Sequence, residues 1–217
     1  KFRYYFLNSH TATNRGIEPP TLGHSIFHGQ SERNQTMFRG DYQYDNNNNI
    51  TLLFLNSIAK YQIPTSPGQS ANPTILGLLP GFTPVPSQMI DENQKENNQY
   101  GHLVWRRDIN TRNFFSLAGY ARHTRATFRT DPFNVLAYVP EVEEPFSAGS
   151  QDRTGYSGGM RMDYTYVHSK EHLFKAGFQV HRTQAINKTR LFTFQDTGGL
   201  PTGGVINAGG DNRLIGW

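Results

Sequence analysis

The chain has 217 residues, of which 35% are hydrophobic and 13% aromatic, and it carries a formal net charge of +4. The absence of cysteine excludes a disulfide scaffold, a cysteine-ligated zinc site and a thiol nucleophile. The basic residues form no long run, which argues against a nucleic-acid partner, and no stretch approaches the roughly 18 apolar residues of a transmembrane helix.

Side chains alternate between apolar and polar along most of the chain, a period of two that predicts β-strands. Strands are predicted, in chain order, at 1–9, 33–45, 50–63, 101–109, 113–127, 155–168, 171–183 and 187–195, and another begins at 214. Each should have one apolar and one polar face, because successive side chains of a strand point to opposite sides. Low hydrophobicity and high aromatic content fit such two-faced strands.

The apolar positions of the clearest strands are candidates for contact with lipid. The set is Phe38, Tyr42, Tyr156, Met160, Met162, Phe174 and Phe178.

Short polar turns alternate along the chain with long stretches rich in Pro, Gly, Ser and Asn. The turns lie near 45–49, 108–113 and 167–171, and the long irregular stretches at 10–32, 64–98, 131–153 and 196–212. Barrels of bacterial outer membranes have short periplasmic turns and long extracellular loops. The pattern therefore favours an all-β, antiparallel transmembrane β-barrel over a soluble all-β fold.

Several stretches resemble the barrel of TonB-dependent outer-membrane receptors, especially those for siderophores. The resemblance covers nearly the whole chain, and it rests on the order and spacing of these stretches. The stretches are Arg15–Leu22 (RGIEPPTL), Ser31–Thr36 (SERNQT), Tyr61–Pro64 (YQIP), Tyr120–Phe128 (YARHTRATF) and Ser147–Tyr156 (SAGSQDRTGY).

The resemblance implies a 22-stranded barrel with an N-terminal plug domain in its lumen, located in the bacterial outer membrane. It implies that extracellular loops capture a ferric siderophore and that the TonB complex of the inner membrane supplies energy. We expect residues 1–217 to be an internal part of one β-barrel domain, about eight strands, with the plug and the remaining strands outside this chain. Outer-membrane lipid would then be a further partner.

An arginine and an aspartate two residues apart recur on three of the predicted strands. The pairs are Arg39 with Asp41, Arg106 with Asp108, and Arg161 with Asp163. A spacing of two places both partners on one face of a strand. We predict that they form a charged belt in the lumen on which the plug docks; the alternative is a set of solvated ion pairs, each worth at most about 1 kcal/mol.

Aromatic and basic residues of the long stretches are the candidates for substrate binding. They are Arg15, His24, Phe27, His28, Phe82, Phe133 and Tyr138. Iron–siderophore complexes are often anionic or aromatic, which suits these residue types.

The sequence predicts neither a metal site nor a cofactor, and no enzyme activity. His24 and His28 would share a face only on a helix, which the nearby prolines and glycine oppose. His123 and His181 are isolated residues at positions of polar parity. Glu141, Glu143 and Glu144 cluster in a proline-containing stretch typical of solvated loop.

Two further functions remain open at this point. A passive porin or small structural barrel would have the same wall without a plug. A soluble all-β carbohydrate-binding or hydrolytic module would not expose an apolar face to lipid, and it would stay monomeric without detergent.

Overall fold

The computed structural model of this chain describes residues 1–14, 28–78, 81–138, 147–193 and 214–216. They form one antiparallel sheet with two short helices and a single 3₁₀ turn. The strands are β1 (Phe2–Thr13), β2 (Ser31–Gln43), β3 (Asn48–Ile63), β4 (Glu92–Asn110), β5 (Asn113–Arg129), β6 (Ser147–Val167), β7 (Leu173–Thr193) and β8 (Leu214–Gly216). The helices are α1 (Pro73–Leu78) and α2 (Pro132–Ala137), and the 3₁₀ turn is Ser87–Met89.

Each strand pairs with the next strand along the chain, so the order in the sheet is the order in the sequence. The prediction of an all-β, antiparallel fold is confirmed. Within the described residues β1 and β8 each have one neighbour, so the sheet is open. Closure into a barrel and a total of 22 strands remain predictions.

Several predicted strand boundaries are wrong. β1 extends to Thr13 and β6 begins at Ser147, whereas the predicted strands covered 1–9 and 155–168. β4 begins at Glu92, and its first residues are polar on both faces, which hides the period of two. The predicted break between 183 and 187 does not exist, because β7 pairs with β6 without interruption from Leu173 to Thr193. A backbone ladder forms regardless of side-chain polarity, so polar strand ends are invisible to hydropathy.

The three short connections lie side by side along one edge of the sheet. Asp108 donates its N–H to the carbonyl oxygen of Asn47 at 2.8 Å, which ties the second connection to the first. In the first, the carboxylate of Asp45 accepts the N–H of Asn47 at 2.8 Å and the side-chain amide of Asn48 at 2.9 Å. These bonds, led by that of Asn47, hold the pKa of Asp45 below its ordinary value.

The chain exposes far more surface than a compact protein of its size. Its accessible surface is 15020 Å², whereas a folded monomer of 24.6 kDa exposes about 10,000 Å². The sheet is a single layer, and no second layer covers either face among the described residues. No described helix is long and apolar enough to cross a membrane.

We expect Gly159→Ala to destabilise the sheet. A methyl group there would lie 2.6 Å from the carbonyl oxygen of Val180 and 3.0 Å from Cα of His181. Because these are backbone atoms of the paired strand, β6 and β7 must separate locally, and the free energy of unfolding should fall by about 1–3 kcal/mol.

Gly101→Ala is the matched control, since nothing lies within 4 Å of its added methyl group. Denaturant unfolding of both variants measures the difference. Equal effects of the two substitutions would contradict the close approach of β6 and β7.

Candidate functional site

The register of the ladder divides the strand residues into two faces. Phe38 pairs with Phe54, Phe54 with Gly101, Gly101 with Ala121 and Ala121 with Gly158. One face therefore carries the even-numbered residues of β1, β2, β3, β6 and β7 and the odd-numbered residues of β4 and β5. We call it the apolar face and the other the polar face.

The half of the apolar face nearest the short connections is apolar apart from Arg182, the cross-strand partner of Gly158, and we call it the apolar band. Its members, strand by strand, are Phe2, Tyr4 and Phe6; Phe38 and Tyr42; Ile50, Leu52 and Phe54; Leu103 and Trp105; Phe115 and Leu117; Tyr156, Met160, Met162, Tyr164 and Tyr166; Phe174, Phe178 and Val180. Many are strongly exposed, Phe174 at 61% and Phe178 at 60%. All seven residues predicted to face lipid lie on this band.

All six residues of the predicted charged belt lie on the polar face. Arg39 Nε is 3.1 Å from Asp41 Oδ2, and Arg161 Nε is 2.8 Å from Asp163 Oδ2. Thr51 of the neighbouring strand also donates its hydroxyl to Asp41 at 2.7 Å. Arg106 and Asp108 do not pair with each other, so the structure forms two of the three ion pairs.

The three Arg–Asp positions are on β2, β4 and β6, so one strand separates each from the next. At about 4.8 Å between neighbouring strands they are spaced roughly 10 Å apart. The structure brings them to one face and one half of the sheet but not into contact. They present alternating charge to whatever lies against the polar face.

The stretches predicted to be irregular between β3 and β4 and between β5 and β6 have structure of their own. We call residues 64–78, 81–91 and 130–138 the loop cap. It holds the most deeply buried large side chains of the described residues, with Ile75, Ile90 and Leu136 each at most 2% exposed. The expectation of irregular loops over 64–98 and 131–153 is therefore wrong, since they contain α1, α2 and the beginnings of β4 and β6.

The helices of the loop cap begin at the same kind of dipeptide. The side chain of Asn72 accepts the N–H of Thr74 at 2.9 Å, and Pro73 is the first residue of α1. Asp131 precedes Pro132 in α2 and accepts the N–H of Asn134. Asn or Asp before proline is a helix-start signal, because the side chain caps free N–H groups and proline needs none. This signal was available in the sequence.

Polar contacts between its two halves hold the loop cap together. Asn72 donates its N–H to the carbonyl oxygen of Ala137 at 2.8 Å. Val85 donates its N–H to Asn134 Oδ1 at 2.9 Å, and the Tyr138 hydroxyl donates to the carbonyl oxygen of Val85 at 2.5 Å. The two connections thus form one unit at the edge opposite the short turns.

Three of the predicted substrate-binding residues meet in the loop cap. Phe82 and Phe133 have ring centroids 6.1 Å apart, and Phe133 is 44% exposed. Tyr138 is held by its hydrogen bond and has a structural role as well. Arg15, His24 and Phe27 lie outside the described residues, as do Glu141, Glu143 and Glu144.

His28 does not form part of a metal site in the described chain. Its φ is 51°, and its Nδ1 lies 3.6 Å from Asp91 Oδ1. No group of three or more His, Asp or Glu side chains converges as metal ligands among the described residues. His123 was assigned to a polar position, which is wrong: it lies on the apolar face and stacks on Tyr156 with centroids 4.9 Å apart.

No protein-family model, curated protein or solved structure matches this chain.

We expect Leu136→Ala to open the loop cap. Leu136 is 1% exposed, and truncating a buried leucine costs about 2–5 kcal/mol. This cost should appear as local opening of the loop cap, because α2 is hydrogen-bonded to the other connection through Ala137 and Asn72. Residues 64–91 should exchange their amide hydrogens faster and be cleaved faster by protease.

Met89→Ala is the matched control in the same unit, because Met89 is 45% exposed. It should leave exchange and cleavage near the wild-type rates. Unchanged exchange in Leu136→Ala would show that the two connections do not form a packed unit.

Proposed function

We propose that this chain is part of the wall of an outer-membrane β-barrel and that the whole protein is a TonB-dependent receptor that takes up a ferric siderophore. The observation that carries the wall is the apolar band, which crosses seven strands without a covering layer. Monomeric soluble proteins rarely expose contiguous apolar patches above a few hundred Å². An antiparallel sheet in a membrane satisfies its backbone through the ladder and turns this face to lipid.

The height of the apolar band supports this assignment. On β6 it runs from Tyr156 to Tyr166, ten residue steps or about 33 Å along the strand. A strand tilt of about 40° reduces this to about 25 Å, the height of the lipid-facing band in such barrels. On β3 and β4 the apolar part of this face is shorter, from Ile50 to Phe54 and from Gly101 to Trp105. It is bounded there by Asn48 and Arg107 on one side and by Asn56 and Gln99 on the other.

Aromatic residues at the turn-side limit of the band agree with a membrane interface. Trp105 is half-buried there, and its indole N–H donates to Asn48 Oδ1 at 3.1 Å. Tyr164 donates its hydroxyl to Asn113, also beside the short turns. Rings with one polar atom are enriched where hydrocarbon meets water.

The transport role is supported by the sequence stretches that resemble siderophore receptors and by the charged polar face. A lumen that holds a plug needs polar side chains, and the polar face carries Arg39, Asp41, Arg161 and Asp163 in the half next to the short turns. A passive porin would share the wall, so coupling to a plug is the feature that separates the two functions. A soluble module would have to cover the apolar band.

Trp105 tests contact with lipid directly. In bilayers, phospholipids brominated near the headgroup should quench its fluorescence more than phospholipids brominated near the chain end, because Trp105 lies at a limit of the band. Trp105→Phe supplies the background emission of Trp217, the other tryptophan of these 217 residues, and of any tryptophan elsewhere in the protein. Equal emission of Trp105 in brominated and unbrominated bilayers would refute the wall.

An arginine introduced on the apolar face should destabilise the protein in a bilayer, whereas one introduced on the polar face should not. Phe178 is on the apolar face near the middle of the band, and its neighbour Gln179 is on the polar face. In bilayers, Phe178→Arg should lower the free energy of unfolding by about 2–4 kcal/mol, the cost of arginine at the midplane. Gln179→Arg, one position away, should be nearly neutral. The reverse order, or no difference in bilayers, would contradict the proposed orientation of the sheet.

Reversing the charge of the belt aspartates tests whether a plug docks on the polar face. In the complete receptor, replacing Asp41, Asp108 and Asp163 together by lysine should reduce uptake of labelled ferric siderophore at least about tenfold, since like charges facing each other are strongly unfavourable. The same three positions changed to asparagine form the control, with a smaller loss. Normal uptake and plug docking after charge reversal would reject the belt, and no uptake by the wild type would reject the transport role.

A further inference from the structure

Beyond the apolar band, away from the short turns, the apolar face becomes strongly basic. The region begins at the cross-strand row that contains Asn34 and Arg125 and extends toward the strand ends farthest from the short turns. Its cations are Lys60, Lys95, Arg125, Arg129, Lys188 and Arg190, and its acids are Glu32 and Asp152. We call the six cations the basic cluster. Six cations against two acids leave +4, the same as the formal net charge of the whole chain.

Two members of the basic cluster have an acidic partner among the described residues. Lys60 Nζ is 3.8 Å from Glu32, and Arg125 is 2.5 Å from Asp152. Lys95, Arg129, Lys188 and Arg190 form no ion pair with any described residue. All six are exposed.

Like charges face each other directly in this cluster. Lys60 and Lys95 are cross-strand partners on the same face of β3 and β4. Such a pair destabilises a sheet unless an anion lies between its members. The arrangement is therefore unfavourable by itself and becomes favourable when a ligand supplies negative charge.

Two adjoining depressions gather these cations. One of about 930 Å³ is lined by Lys60, Lys95 and Arg129. The other, of about 330 Å³, is lined by Arg125, Arg129, Lys188 and Arg190. Arg129 and Thr127 belong to both, so each depression is lined by at least three cations against one acid, Glu32 in the first and Asp152 in the second.

The position of the cluster selects the kind of anion. The stacked rings of His123 and Tyr156 mark the outer limit of the apolar band. Arg125 is two residues beyond His123 on β5, about 7 Å along the strand. On a lipid-facing surface this is the level of the headgroups, which occupy the first several ångströms beyond the hydrocarbon.

We propose that the basic cluster binds the phosphate groups of an anionic lipid in the leaflet opposite the short turns. The proposal rests on the proposed function, because the wall must stand in a bilayer for headgroups to reach this level. It adds a lipid-binding site on the outside of the wall, on the face opposite the charged belt.

The test uses the complete protein in nanodiscs of phosphatidylcholine, with lipopolysaccharide as the phosphorylated probe. Lys95→Gln combined with Arg129→Gln removes two cations that have no acidic partner among the described residues. The control, Arg122→Gln combined with Arg153→Gln, removes two exposed arginines from the polar face. Since each interfacial cation contributes on the order of a fivefold change in binding, the first pair should weaken binding about 25-fold, whereas the control should stay within about twofold.

Two further measurements distinguish lipid phosphate from free phosphate, and failure of the lipid site from failure of the membrane wall. Inorganic phosphate at equal phosphate concentration should not displace the lipid; displacement would show a free-anion site and overturn the assignment to lipid. Equal lipid binding in both double variants, or an equal loss, would also overturn it. Quenching of Trp105 by brominated lipid is measured in the same samples: if Trp105 is quenched but phosphorylated lipid is not preferred, this inference alone fails, and if Trp105 is not quenched, the wall fails first.

Discussion

The antiparallel ladder is the constraint on which the rest of the structure depends. It pairs every long strand with its neighbour in sequence and forces successive side chains to opposite sides. Because directly paired residues share a face, one register carries Phe38, Phe54 and Gly101 to the same side across three strands. A slip of one residue in any pair would bring polar residues into the apolar band.

A single-layer sheet cannot bury its own apolar face. In a sandwich the second sheet would cover it, and here the described chain supplies no such layer. The hydrophobic effect then acts between the sheet and its surroundings, which is why an exposed Phe174 or Phe178 is evidence about environment. By the same argument, the position at which that face becomes polar marks the position at which its surroundings become polar.

The chain places its small conventional core in the loop cap instead. Ile75 and Leu136 come from two connections that are far apart in sequence, and each is almost fully buried. Their helices α1 and α2 contact each other, and α2 also contacts β6. Hydrogen bonds from Asn72 and Tyr138 satisfy backbone groups that the ladder does not reach. The aromatic pair Phe82 and Phe133 is thereby held on a fixed unit, which limits the entropy lost if it contacts a ligand.

The sequence alone determined the character of each strand and the side to which its residues point. Alternation is local, so the seven predicted lipid-facing residues and the six belt residues could be assigned to opposite faces before any pairing was known. The sequence pattern did not predict the start of β4 or the continuity of β7, because those segments alternate weakly or not at all in polarity. The helices of the loop cap were not predicted either, although Asn72-Pro73 and Asp131-Pro132 signal their starts.

Only the tertiary structure decided what lies across the strands. His123 meets Tyr156, Lys60 faces Lys95, and Arg129 joins two depressions because of register, and register depends on turn length and on the pairing of whole strands. The loop cap likewise depends on contacts between residues more than fifty positions apart, such as Val85 with Tyr138. Local periodicity contains no information on such distances, since it describes one strand at a time.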